Sequence, residues 1–181
     1  MSSAAVAREN GKSEIPPGRL ASHVGKLDDL IGAHPDALRK IYSGGRPTDP
    51  GELGETPRGR LLALDGAREI FSLLKPVLRA LGGDALPWKG KVFDHGGNAG
   101  QNIVLGKNML RFRTERGPSD IDGRPTLVLL YDSAAFKNPW PVRAMRDELR
   151  TVAPGIAIGP AFMTIAGARR PLFWFGLEET G

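Results

Sequence analysis

Lys91, Arg111 and Tyr131, with Asn102 behind them, are polar residues set among apolar and aromatic neighbours, the composition by which a pocket fixes the orientation of a ligand. Arg111 shares one strand face with Arg113, opposite Leu110 and Phe112, and guanidinium geometry suits a bidentate grip on a carboxylate or phosphate. The competing reading of that face is a solvated outer wall. Trp88 and Phe93 flank Lys91 and would line the same pocket, although ordinary core packing accounts for most aromatic residues of such a chain. Asp94, Tyr131 and Asp147 are the candidates for acid–base catalysis on a hydrophobic substrate. Asp94 adjoins His95, but neighbouring strand residues point to opposite faces, so the two converge only across a bend. Asp147 and Glu148 stand at helical spacing from Arg143, Arg146 and Arg150, a pattern of surface ion pairs. Were the segment a strand, Asp147 would face the pocket instead.

Other chemistries lack their residues. The 181-residue chain has no cysteine and three histidines, so thiolate chemistry is excluded and a histidine-rich metal site is not expected. Neither a nucleophile elbow nor a phosphate-binding loop followed by lysine and a hydroxyl occurs, and no cofactor is expected. Asp120 and Asp122 suit a hairpin turn completed by Gly123 better than a pair of catalytic carboxylates. The run from Gly96 to Asn102 could offer backbone donors to an anion, but a loop between strands is the simpler reading. Twenty-five basic residues against 20 acidic ones give a net charge of +5, with the signs interleaved rather than striped, which speaks against nucleic acid as partner. No apolar run approaches the ~20 residues of a membrane span, and the first residues lack a secretory signal's apolar core. A cytoplasmic protein is the simplest expectation.

Positioning those residues falls to a run of short alternating segments that starts at Trp88. Glycine and proline punctuation divides it into expected strands at 88–94, 101–106, 108–116, 124–132, 149–153, 156–165 and 171–178. Such a meander closes toward a barrel or half-barrel, with 142–149 as a short helix or turn outside it. Residues 1–20 read as a disordered tail, and 21–181 as one domain with a helical part at 21–85 and a β-rich part at 86–181. Within the helical part, apolar spacing predicts two short helices between Lys26 and Tyr42, the second starting at His34-Pro35-Asp36. A third is expected over 67–81, after a glycine- and proline-rich loop from Ser43 to Arg60. An edge strand left open by an incomplete barrel would allow a homodimer.

Three stretches carry a family resemblance. Ile41-Tyr42-Ser43-Gly44-Gly45-Arg46-Pro47-Thr48 with Pro57-Arg58-Gly59, the segment from Trp88 to Asp94, and the closing pieces Asp147 to Val152, Ile158-Gly159 and Phe173 to Glu178 resemble the bacterial GXWXG-type proteins, a lipocalin-like family of unknown function. Tyr42 stands where that family has the tryptophan of its name. The resemblance implies a lipocalin-like antiparallel barrel with an internal apolar pocket, and no particular reaction. The expected fold is therefore α+β, mainly β, with an N-terminal helical layer over the barrel. The expected function is binding of a small hydrophobic or amphipathic molecule in the barrel, with an isomerase, cyclase or hydrolase in the same cavity as the alternative.

Overall fold

Eight of nine antiparallel strands close on themselves in a computed structural model that describes residues 24–66 and 88–180. The strands are β1 (Arg46–Pro47), β2 (Arg58–Leu64), β3 (Trp88–Phe93), β4 (Ala99–Val104), β5 (Lys107–Pro118), β6 (Pro125–Leu130), β7 (Met145–Ala153), β8 (Ile156–Ile165) and β9 (Ala168–Glu178). Each of β2 to β9 pairs with its neighbour in sequence, and β2 pairs with β9 to complete the ring. β1 continues the pairing on β7, at Arg150 and Thr151, beyond the point where β6 leaves it.

Most of the expected strands are found within two or three residues of their place. Two expectations are corrected. Arg58–Leu64, placed in the helical part, is a strand, and it closes the barrel by pairing Arg58 with Gly90 and Leu64 with Phe173. β7 begins at Met145, so the charged run 145–148 is strand and only Val142–Ala144 forms a short 3-10 helix. Closure also settles the choice between barrel and half-barrel. The third helix, expected over 67–81, and the tail at 1–20 lie outside the described residues.

α1 (Pro35–Gly44) starts as its sequence implies. Pro35 occupies the first turn, where its missing N–H costs nothing, and His34 Nδ1 accepts from the Asp36 amide at 3.3 Å. Leu38, Ile41 and Tyr42 recur on one face and, with Leu27 and Leu30 of the 3-10 turn at Leu27–Leu30, cover Leu62, Ile156, Ile158 and Trp174 on the outer wall. Among the described residues no helix is long and apolar enough to cross a membrane.

The interior holds a separate core that includes Phe93, Phe112, Leu127, Leu129, Leu149 and Phe175. Strand ends at Trp88, Leu130, Met145 and Ala168 share one rim of the barrel. Buried Leu53, from the turn Pro50–Leu53, belongs to this core, and Pro50 packs at the turn between β3 and β4, so this segment plugs the opposite end. Toward the first rim, Trp88, Leu110, Met145 and Phe173 pack on the interior while remaining only partly buried.

Candidate functional site

Alternation along three strands, and the residue that follows a fourth, turns polar side chains into this apolar interior. On β7, Asp147 and Leu149 face inward while Glu148 and Arg150 face outward, the period of two that any strand imposes. On β3 a bulge between Trp88 and Gly90, where Gly90 adopts φ 145°, brings both Trp88 and Lys91 to the inner face. Gly59 opposite has no room for a Cβ, because the Trp88 ring and Gly90 lie against it. Asn102 comes from β4. Tyr131 follows β6 and is fixed by Asn138, whose Nδ2 donates to the Tyr131 carbonyl at 3.0 Å and to that of Arg111 at 2.7 Å.

Lys91 stands at the centre, 1 % exposed. Its Nζ donates to Asp147 Oδ2 at 2.9 Å, Tyr131 OH at 2.8 Å and Asn102 Oδ1 at 2.9 Å. Tyr131 OH in turn donates to Asp147 Oδ2 at 2.6 Å, and Trp88 Nε1 to Asn102 Oδ1 at 2.9 Å. Asn102 Nδ2 donates to Tyr131 OH at 3.2 Å and to the Leu110 carbonyl at 3.1 Å. Four rings surround the ammonium, Phe112 at 5.0 Å, Phe175 at 5.1 Å, Tyr131 at 5.6 Å and Trp88 at 5.7 Å from their centroids, all within cation–π range. Asp147 Oδ1 is buried and has no hydrogen-bond partner among the described residues.

Burial dominates the electrostatics. Loss of water lowers the Lys91 pKa, and the Asp147 charge and hydrogen bond oppose that shift without cancelling it. The same burial, and then the Asp147 charge, push the Tyr131 phenol well above its usual value, so it remains a protonated hydrogen-bond donor. Because the Lys91 and Asp147 charges offset each other, the site as a whole is neutral and surrounded by rings, suited to an uncharged group on an apolar body.

Of the residues singled out from sequence, Trp88, Lys91, Asn102, Tyr131 and Asp147 converge, and Phe93 lies in the same core edge-on to Phe112 at 5.7 Å. Arg111 and Asp94 do not join them. Their side chains are 50 % and 45 % exposed and meet each other at 3.4 Å outside the barrel interior, so Arg111 takes its solvated reading and neither side chain joins the Lys91 cluster. His95 is fully exposed and 3.6 Å from Glu55. Among the described residues no three His, Asp or Glu side chains converge to hold a metal ion.

Sequence reasoning missed a second buried network, on the outer wall beneath α1. Tyr42 OH lies 2.8 Å from Glu148 Oε2, 2.9 Å from Thr126 Oγ1 and 3.1 Å from Ser119 Oγ. Arg146 and the Asp120 amide bond Glu148 Oε1. Arg150 stacks 4.4 Å from the centre of the Tyr42 ring and forks onto both oxygens of Asp122, at 2.7 and 2.8 Å. The surface ion pairs expected of Glu148 and Arg150 are thus corrected: both residues are 0 % exposed. Their alternation with Asp147 was the available signal, hidden because on this strand both faces carry charge.

No family model matches this chain, and no curated protein matches it. Among solved structures it is similar to a protein from Thermomonospora curvata, at 16 % identity and a TM-score of 0.55, over 91 % of this chain and 98 % of that one. At that identity the likeness is one of fold.

Proposed function

We propose that the barrel binds a small hydrophobic or amphipathic molecule, its apolar body among the interior rings and its polar group at Lys91, Asn102, Tyr131 and Asp147. One observation carries the reading: a connected polar cluster, buried inside an apolar barrel, ends in a carboxylate oxygen with no partner among the described residues. A buried acceptor left unpaired costs about 1–3 kcal/mol, more when charged, and such a cost is expected where a bound molecule recovers it. The partly buried Trp88, Leu110, Met145 and Phe173 at the adjoining rim support the same reading, since they keep solvent contact beside the cluster. Resemblance to the GXWXG-type lipocalin-like proteins adds the expectation of an internal apolar pocket, and a cysteine-free chain suits the cytoplasm.

A second reading, acid–base catalysis by an isomerase, cyclase or hydrolase in the same cavity, is favoured by Lys91, whose pKa burial lowers, so that the amine gives up its proton more readily than an exposed lysine. Asp147 and Tyr131 would be its neighbours in that role, while Asp94 stands apart from them, exposed and paired with Arg111.

Native mass spectrometry of freshly purified protein tests the leading reading. A stoichiometric small-molecule adduct that is lost on denaturation is the expected result. An apo mass, together with no thermal stabilisation by apolar alcohols, ketones or acids, would overturn it.

A further inference from the structure

We propose that the ligand's polar group is a neutral hydrogen-bond donor, an alcohol or phenol hydroxyl given to Asp147 Oδ1, so that the barrel selects hydroxyl compounds over the matching ethers and carboxylates. This inference rests on the binding reading above and names its ligand class.

The argument is a census of donors and acceptors. An ammonium at Lys91 has three N–H groups, and its three neighbours are the acceptors Asp147 Oδ2, Tyr131 OH and Asn102 Oδ1. Tyr131 has one proton. Its contacts with Lys91 Nζ and Asn102 Nδ2 are to donors, so that proton goes to Asp147 Oδ2. The orientation of the Asn102 amide follows in the same way: Trp88 Nε1 and Lys91 Nζ can only donate, which fixes the oxygen toward them and leaves the two amide protons for Tyr131 OH and the Leu110 carbonyl. The Trp88 indole proton is taken by Asn102. Every donor of the cluster is therefore used, and the oxygens of Tyr131 and Asn102, with Oδ2 of Asp147, each accept two bonds. What remains is Asp147 Oδ1, an acceptor on a residue 4 % exposed.

A hydroxyl supplies the one missing proton. An ether or ketone brings a further acceptor to a cluster with no donor left to meet it. A carboxylate adds a second anion beside Asp147, and an ammonium adds net charge to a pair already balanced, both costly away from water. Sites built around such an unmet group discriminate strongly against analogues that cannot satisfy it.

The test uses four matched probes on the wild-type chain, 4-propylphenol, its methyl ether, 4-propylbenzoate and propylbenzene, by isothermal titration calorimetry at neutral pH. The phenol is expected to bind at least about tenfold more tightly than each of the others. Ether or benzoate binding as tightly as the phenol overturns the inference and leaves the pocket standing. Failure of all four to bind overturns the pocket and the inference with it. Asp147→Asn, which replaces an acceptor by a donor, is expected to lower phenol affinity and to raise that of the ether; if the variant does not fold, the wild-type series still decides.

Discussion

Lys91 and Asp147 illustrate how little a buried ion pair needs to contribute to stability. Each charge gives up its hydration, and the attraction between them in a dry interior repays that cost only approximately. Removing one partner is different. Lys91→Met leaves the Asp147 carboxylate without a counter-charge and is expected to destabilise the fold by about 3 kcal/mol or more in urea titration. The double variant Lys91→Met/Asp147→Val removes both charges and is expected to regain a substantial part of that loss. If the double variant unfolds as readily as the single one, the cost does not come from the orphaned charge. A pair with small net stability is free to serve the proposed binding, for which the aromatic cage around Lys91 and the unmatched Oδ1 of Asp147 are the observations.

At the level of elements, β7 separates two polar layers through the alternation of its side chains, the Lys91–Asp147 cluster inside and the Tyr42–Glu148–Arg150 network outside. The outer layer fastens α1 and the turn between β5 and β6 to the barrel wall. Tyr42→Phe removes one donor to the buried Glu148 and is expected to lower stability by about 1–2 kcal/mol while leaving phenol affinity unchanged. A matching loss of affinity would mean that the two layers are one unit. This layering also explains what could be read beforehand. β3, β5, β8 and β9 were legible because glycine or proline breaks bound clear runs, and Lys91, Asn102 and Tyr131 stood out as polar residues in apolar segments. β2 was not, because Arg58-Gly59-Arg60-Leu61-Leu62-Ala63-Leu64 has a bulge between Leu61 and Ala63 that breaks the alternation. The first half of β7 has the spacing of helical ion pairs because a strand buried by charged networks on both faces has no apolar period to follow. Arg111 was misassigned because alternation tells which residues share a face, not which face is inside.

Across the whole molecule, carboxylates on the outer layer hold peripheral segments to the closed barrel, and this sets its response to acid. Asp122, in the turn between β5 and β6, is lowered from 3.8 to about 2, chiefly by its hydrogen bonds from Arg150. Glu178 at the end of β9 is lowered by Arg58, and Asp28, within the 3-10 turn Leu27–Leu30, by Arg58 and Arg60. An unfolded chain takes up these protons near the ordinary carboxylate value, whereas the folded chain resists until lower pH. Stability from such a group is therefore complete above the unfolded value and is lost as pH falls through the folded one. The melting temperature is expected to hold steady from about pH 5 to neutrality and to fall between about pH 4 and pH 2, the interval that the Asp122 shift spans. Asp122→Asn removes the charge that Arg150 grips and is expected to cost about 1 kcal/mol at neutral pH, after allowance for solvent around a partly exposed carboxylate. Its melting temperature should then depend less steeply on pH below about pH 4. An acid limb that superimposes on that of the wild type, shifted only in height, would show that Asp122 does not set the response and would leave Glu178 and Asp28, which clamp the N-terminal segment, as the groups to vary next.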